Sequence, residues 1–309
     1  MSRIKLQNSG LITTNFIPDE WEKVTGMTIG IGALCESGKC IVLGCDTRAS
    51  YDARHHLGPN DWTSKTYSLP LSCFVVVAGA IHEAHEVVSH LTAEFGKLGS
   101  PFELDEARNA INEGRFYAYR QKGGDRIFAK FALSLSDWHR LPRDASVYKG
   151  GMNIFRNLSI PVEIIVAGFR NKNPNQNVPG STPAILYRAI RKRTVEPVNN
   201  YTVIGSGGKE AMRVLDKRGQ NVHRSWQRTA IDVIAAVKAA RRANRRSVGN
   251  PDDLFVIFQA EVKRLPVGAT FVKTMLEKMK NAKVPHLNHF VGTTNEILSS
   301  LLYDQPPET

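Results

Sequence analysis

The chain has 309 residues, a formal net charge of +12 and 42% hydrophobic residues, enough for one large domain or two modest ones with a sizeable core. No apolar run nears the roughly 18 residues that a membrane-crossing helix needs. The opening stretch lacks the basic start and continuous apolar segment of a secretory signal, so a cytoplasmic protein without a membrane partner is expected.

Residues 1–27, broken by Pro18 and Gly26, read as a leader or propeptide-like segment. From Thr28 the pattern changes. Thr28 to Leu34 and Ile41 to Ser50 carry apolar runs of strand length split by Glu36-Ser37-Gly38-Lys39, the signature of a hairpin. Two more short strands follow, one starting near Ser64-Lys65 and one over Cys73 to Ala80. Ile81, Ala84, Val87, Val88, Leu91 and Phe95 then recur at helical spacing and predict an amphipathic helix that ends near Gly96. A second helix is expected over Leu104 to Arg120. Between 121 and 159 the pattern fits helix or strand around Phe128 to Leu135, and a surface insertion over Arg140 to Gly151.

Pro161 to Gly168 reads as a buried strand, Ala184 to Tyr187 and Tyr201 to Ile204 as two more. Gly205-Ser206-Gly207-Gly208 opens a helix through Leu215, and Thr229 to Arg246 is strongly periodic. Asp253 to Val262 gives a last central strand, and Phe271 to Lys283 a helix within a C-terminal helical extension over 263–309. This order of elements implies two sheets between helical layers. The organisation is therefore a leader (1–27), one domain (28–262) and the extension.

Several features resemble functional motifs without completing them. In His82-Glu83-Ala84-His85-Glu86, a zinc hydrolase motif would require a histidine at position 86. The run Gly205 to Lys209 follows a strand, but a phosphate loop would require a glycine where Val203 stands and a hydroxyl where Glu210 stands. Cys35, Cys40, Cys45 and Cys73 form no zinc-ligand set and read as reduced small hydrophobes. No metal and no cofactor is expected. The basic runs at Lys238 to Arg246 and Arg188 to Arg193 lack interleaved aromatics, so a solvated face or a subunit contact is favoured over nucleic acid.

The remaining signal is a set of single residues at strand ends: Thr28, Asp46, Lys65 and Gly79. Together with Gly44-Cys45-Asp46-Thr47-Arg48-Ala49-Ser50, Ser64-Lys65, Val77-Ala78-Gly79-Ala80, Val162 to Phe169 and Tyr201 to Gly207, they resemble the proteasome-type branch of the N-terminal nucleophile (Ntn) hydrolases, which comprises 20S proteasome subunits and bacterial proteasome-like peptidases. The resemblance spans about residues 26 to 262. It implies an α+β fold, a four-layer αββα sandwich, a homo-oligomeric ring, a polypeptide substrate and peptide-bond hydrolysis by an N-terminal threonine. Whether an ATPase or other regulator joins the ring is not readable from the chain.

In that scheme Thr28 is the nucleophile. A threonine hydroxyl is weak and needs a base, which the residue's own α-amine supplies once it is freed. Lys65 favours ionisation of the hydroxyl and Asp46 holds the Lys65 ammonium, because a buried cation needs a carboxylate beside it. The Gly79 N–H faces the developing oxyanion, and Ser206 bonds near the free amine.

Three departures accompany the resemblance. Met27, not glycine, precedes Thr28; Arg246 and Ser247 stand where the family carries a carboxylate; and a two-residue shift of the first strand would put Gly26 at the nucleophile position. Strand periodicity does not decide this register, since a shift of two keeps the same face inward. The alternatives are a non-catalytic subunit used for assembly or binding and an Ntn amidase acting on a small amide.

Overall fold

A computed structural model of the chain describes residues 28–46, 65–158, 162–170, 183–190, 195–244, 248, 251–259 and 261–266. The expected leader and the C-terminal helix near 271–283 lie outside the described residues. Among the described residues the fold is α+β, with two five-stranded antiparallel sheets and six helices.

The opening hairpin forms as the sequence predicts. Strand β1 (Gly30–Cys35) and strand β2 (Cys40–Asp46) pair in antiparallel register, Gly30 opposite Cys45 and Cys35 opposite Cys40, around a single 3-10 turn at Glu36–Gly38. Every residue of both strands is buried. Their apolar character is nearly continuous for that reason, as each face meets a different partner. Ile31, Ala33 and Val42 pack outward, and Leu34, Ile41 and Leu43 pack toward the other sheet.

The second sheet starts with β3 (Thr66–Leu69) and β4 (Cys73–Gly79), followed in chain order by helices α1 (Ile81–Phe95) and α2 (Leu104–Phe131). On α1 the buried residues are Ala84, Val87, Val88, Leu91 and Phe95, which fall on one helical stripe. They join Ala107, Ala110 and Ile111 of α2 against Val75, Val77, Ile164 and Val166. Each fully buried Leu, Ile or Val in such a contact contributes about 1.5–3 kcal/mol.

Two shorter helices follow, α3 (Leu135–Arg140) and α4 (Ser146–Asn157). The sheet then continues through β5 (Val162–Phe169), β6 (Ala184–Ile190) and the two-residue β7 (Glu196–Pro197). Around Phe128, where helix or strand was expected, the chain is helix to Phe131, and the stretch expected as a surface insertion over Arg140 to Gly151 is a turn at 141–145 leading into α4.

The chain returns to the first sheet with β8 (Tyr201–Ile204), then α5 (Gly208–Lys217), α6 (Trp226–Ala243), β9 (Pro251–Phe258) and β10 (Val262–Pro266). The strand orders are β10-β9-β2-β1-β8 and β3-β4-β5-β6-β7. The expected single strand from Asp253 to Val262 is two, because the chain reverses after Phe258, whose N–H donates to the Glu261 carbonyl at 2.7 Å.

Helices α5 and α6 cover the outer face of the first sheet through Ala211, Leu215, Val233, Ile234, Val237 and Ala240. Between the sheets lie Leu43, Val76, Ala78, Ile165, Leu186 and Ile204. One end of this double sheet brings together the start of β1, the end of β2, the residue before β3, the end of β4, the start of β5 and the end of β8. Nearly all the residues singled out from the sequence stand there.

Candidate functional site

Thr28 precedes β1 and is 2% exposed. Its hydroxyl donates to Asp46 Oδ1 at 2.5 Å, and Lys65 Nζ donates to the same hydroxyl oxygen. Lys65 Nζ also reaches Asp46 Oδ1 at 3.0 Å, and the Ile29 N–H reaches that oxygen at 2.8 Å. Asp46 is fully buried and Lys65 is 6% exposed. A hydroxyl is thus held between a carboxylate that accepts its proton and an ammonium that donates to its oxygen. In such a water-poor setting these charge-assisted bonds are strong.

Neighbouring pairings set the geometry. The Asp46 N–H donates to the Ile29 carbonyl at 3.3 Å, and the register between β2 and β9 shifts at Cys45/Asp46. This irregularity ends the strand and turns the carboxylate under Thr28. Lys65 is positioned by its carbonyl, which accepts the Val77 N–H at 2.9 Å. Beside it, Cys45 Sγ and Thr66 Oγ1 are 3.3 Å apart. Burial pushes the Cys45 thiol up to about 12 despite the Thr66 hydrogen bond, so it is a packing residue and not a second nucleophile.

Of the two registers the sequence left open, the one seen here has Thr28 at the Lys65 ammonium; Gly26 lies outside the described residues. Gly79 closes β4 opposite Val162, with a φ of 133° that favours glycine. Ser206 begins the turn from β8 into α5 and its side chain is exposed. Thr28, Asp46 and Lys65 are therefore in mutual contact, while Gly79 and Ser206 stand on adjoining strand ends. Thr47 to Ser50, Ser64, Arg246 and Ser247 fall outside the described residues.

Gly205, which lies against Thr28, and Glu163, which bonds Gly205, were not singled out from the sequence for a role. Gly205 has a φ of 89°, and a methyl group built on it would stand 2.1 Å from the Thr28 carbonyl oxygen. Glu163, next to the start of β5, accepts the Gly205 N–H through Oε2 at 2.8 Å. A carboxylate thus fastens the turn that backs the Thr28 main chain. Its only sequence signal is a charged residue interrupting an otherwise apolar strand.

The incomplete motifs hold no comparable site. His82 Nε2 lies 3.2 Å from Glu86 Oε1 with the histidine side chain 85% exposed, an ordinary surface pair one helical turn apart. Among the described residues no group of three His, Cys, Asp or Glu side chains is arranged to hold a metal. All four cysteines are free and buried. No described helix is long and apolar enough to cross a membrane.

Among solved structures, Anbu (ancestral beta-subunit) from Yersinia bercovieri superposes with a TM-score of 0.54 at 13% identity, covering 91% of this chain and 99% of that one. The fold is of the Anbu type. A mutant of Anbu from Hyphomicrobium sp. strain MC1 gives a TM-score of 0.52 at 14% identity, over 82% of this chain and 95% of the other. Identities this low establish a shared fold and nothing finer. No family model and no curated protein matches the sequence. The placement among 20S proteasome subunits and bacterial proteasome-like peptidases drawn from the sequence blocks is accordingly corrected to a likeness of fold with the Anbu proteins.

Proposed function

We propose that this chain is a threonine-type endopeptidase that uses Thr28 as its nucleophile after residues 1–27 are lost, acting on polypeptide within a homo-oligomeric ring. The observation that carries the reading is the buried contact of the Thr28 hydroxyl with both Asp46, at 2.5 Å, and Lys65. The packing of α1 and α2 on one sheet and α5 and α6 on the other supports a four-layer αββα arrangement around it.

The chemistry follows from these groups. With residue 27 removed, the Thr28 amine becomes a base whose ordinary pKa lies near 8. It takes the hydroxyl proton as Oγ1 attacks the scissile carbonyl carbon, giving a tetrahedral oxyanion that the Gly79 N–H stabilises. Collapse transfers the proton to the leaving amine and leaves an ester on Thr28. Water, deprotonated by the same amine, then cleaves the ester. The Lys65 ammonium lowers the cost of negative charge on Oγ1, and Asp46 keeps that ammonium in place. Ser206 and the turn fastened by Glu163 border the amine.

The direct test is hydrolysis of a fluorogenic peptide by protein that begins at Thr28. Thr28→Ala and Lys65→Ala are expected to lower kcat by at least a thousandfold with the fold intact by circular dichroism. Robust turnover by the Thr28→Ala protein would remove Thr28 from the mechanism. Inactivity of the correctly started wild-type protein toward peptides and small amides alike would leave a non-catalytic subunit.

A further inference from the structure

We propose that Glu163 is the counter-charge of the freed Thr28 amine, a positioning residue that sets the pH at which this amine becomes a base. The inference rests on the peptidase reading, because it concerns the chain end that loss of residues 1–27 creates. Along β5, Val162, Ile164 and Val166 face α1 and α2, whereas Ile165 and Ala167 face the space between the sheets. Alternation puts Glu163 in the second set. A half-buried carboxylate thus stands at the mouth of that space, where Glu163 pairs with Ala78 and Val162 with Gly79.

Backbone direction places the amine on the same side. The Ile29 N–H donates to Asp46 Oδ1 at 2.8 Å, and the Ile29 carbonyl accepts the Asp46 N–H at 3.3 Å, so the main-chain groups of Ile29 face β2. Those of Thr28 face the other edge, toward β8, since successive residues of a strand alternate. The Thr28 carbonyl conforms, because a methyl group built on Gly205 would meet its oxygen at 2.1 Å. Gly30 pairs with Ile204, and the same register carried two residues further brings Thr28 opposite Ser206. The Thr28 nitrogen therefore opens on the turn at Gly205 and Ser206, to which Glu163 Oε2 is bonded at 2.8 Å.

The other charges at this end are engaged elsewhere. Asp46 and the Lys65 ammonium, 3.0 Å apart, oppose each other beside the Thr28 hydroxyl. In the first turn of α1, His82 pairs with Glu86 and Glu83 with Lys122; in that of α5, Glu210 pairs with Arg213. Asp253 of β9 is separated from Thr28 by β2, where it stands opposite Cys45. Residues Phe74 to Gly79 of β4 carry no ionisable side chain. The Gly205 N–H that Glu163 binds is neutral, so the carboxylate keeps its negative charge toward the amine. An anion close to an ammonium favours its charged form, so Glu163 raises the pKa of the amine while Lys65 opposes it.

The test is carbamylation of assembled protein that begins at Thr28, using cyanate, which reacts with the uncharged amine only. Rates between pH 6 and pH 9, read from the mass of the Thr28-containing peptide, give the titration midpoint of that amine. Glu163→Gln keeps an oxygen for the Gly205 N–H but no charge. Its midpoint is expected to fall by about half a pH unit or more, which makes carbamylation at pH 7 about threefold faster. Glu163→Asp keeps the charge and loosens the hold on Gly205, and is expected to stay close to the wild-type midpoint. If Glu163→Gln fails to fold, Glu163→Ser carries the same expectation as Glu163→Gln. A midpoint unchanged in the folded uncharged variant, or a larger fall with Glu163→Asp than with Glu163→Gln, would overturn the assignment and leave Glu163 only as a fastener of the turn. Peptide turnover is measured on the same samples: a wild-type protein without turnover removes the peptidase reading, while the cyanate midpoints still decide whether Glu163 acts on the amine.

Discussion

Gly205 lies against Thr28 so closely that the smallest possible side chain would collide with the Thr28 carbonyl, at 2.1 Å. The neighbour in this clash is backbone and not a flexible side-chain tip, so relief requires moving Thr28 itself. The φ of 89° adds a penalty for any side chain. Gly205→Ala is therefore expected to destabilise the fold by about 1–3 kcal/mol and to displace the hydroxyl from Asp46. Urea unfolding measures the first effect, and reduced labelling of Thr28 by an electrophile reads the second. Wild-type values for both would mean that the turn yields without disturbing Thr28.

Asp46 offers one carboxylate oxygen to the Thr28 hydroxyl, the Ile29 N–H and the Lys65 ammonium. Removing it strands a buried cation. Asp46→Ala is expected to cost about 3–5 kcal/mol, and the double variant Asp46→Ala, Lys65→Met to recover a large part of that loss. Chemical denaturation of the two single variants and the double variant makes the comparison. If the double variant is no more stable than Asp46→Ala, the uncompensated Lys65 charge is not the source of the penalty.

Helices α1 and α2 are linked by Lys122 Nζ and Glu83 Oε1 at 2.7 Å, with both side chains largely covered. Burial of Glu83 pushes its pKa up, but the hydrogen bond from Lys122, a backbone hydrogen bond and the charges of Lys122 and His82 together outweigh this and hold the carboxyl below its usual value of 4.5. A carboxyl whose folded pKa is depressed contributes stability above its ordinary pKa and loses it as pH falls through the folded value. Glu83→Gln is thus expected to flatten the decline of stability below about pH 4.5, and to cost about 1 kcal/mol at pH 7. Urea midpoints measured from pH 7 to pH 3 test this, and parallel curves for the two proteins would contradict it.

The four cysteines should be silent toward thiol reagents. Cys40 is pushed upward by its hydrogen bond to Cys35 and by burial, and Cys45 is pushed up to about 12 by burial. Thiolate is the reactive species. Native protein at pH 7.5 is expected to show less than one equivalent of fast thiol with a chromogenic disulfide reagent, rising to four in denaturant, the number in the sequence. Rapid titration of any of them in the native state would show that the covering elements open readily.

Much of the double sheet was legible because its strands are apolar runs separated by polar turns. The hairpin at Glu36 to Lys39 and the stripe of α1 followed directly from residue spacing. The length of α2 did not. The helix expected over Leu104 to Arg120 continues as α2 to Phe131 through Gly123-Gly124, and a methyl on Gly123 would meet the Phe155 ring at 2.2 Å. Gly123 makes room for Phe155 of α4, and tertiary contact overrides its propensity. The reversal after Phe258 was hidden for a related reason, since Gln259-Ala260-Glu261 contains no turn-forming Gly, Pro, Asn or Asp. At the site, Thr28, Asp46 and Lys65 could be named from their places at strand ends. Glu163 could not, because its partner is the backbone N–H of Gly205, 42 residues away.

The central claim is that Thr28 becomes a reactive chain end. It is tested most directly by intact-mass spectrometry of protein beginning at Thr28 after treatment with a peptide epoxyketone, a reagent that condenses with both the hydroxyl and the free amine of a terminal threonine. The account predicts one adduct per chain, located on the peptide containing Thr28 and Ile29 and absent from the Lys65→Ala protein. A chain that starts correctly, remains folded and gains no mass would contradict it.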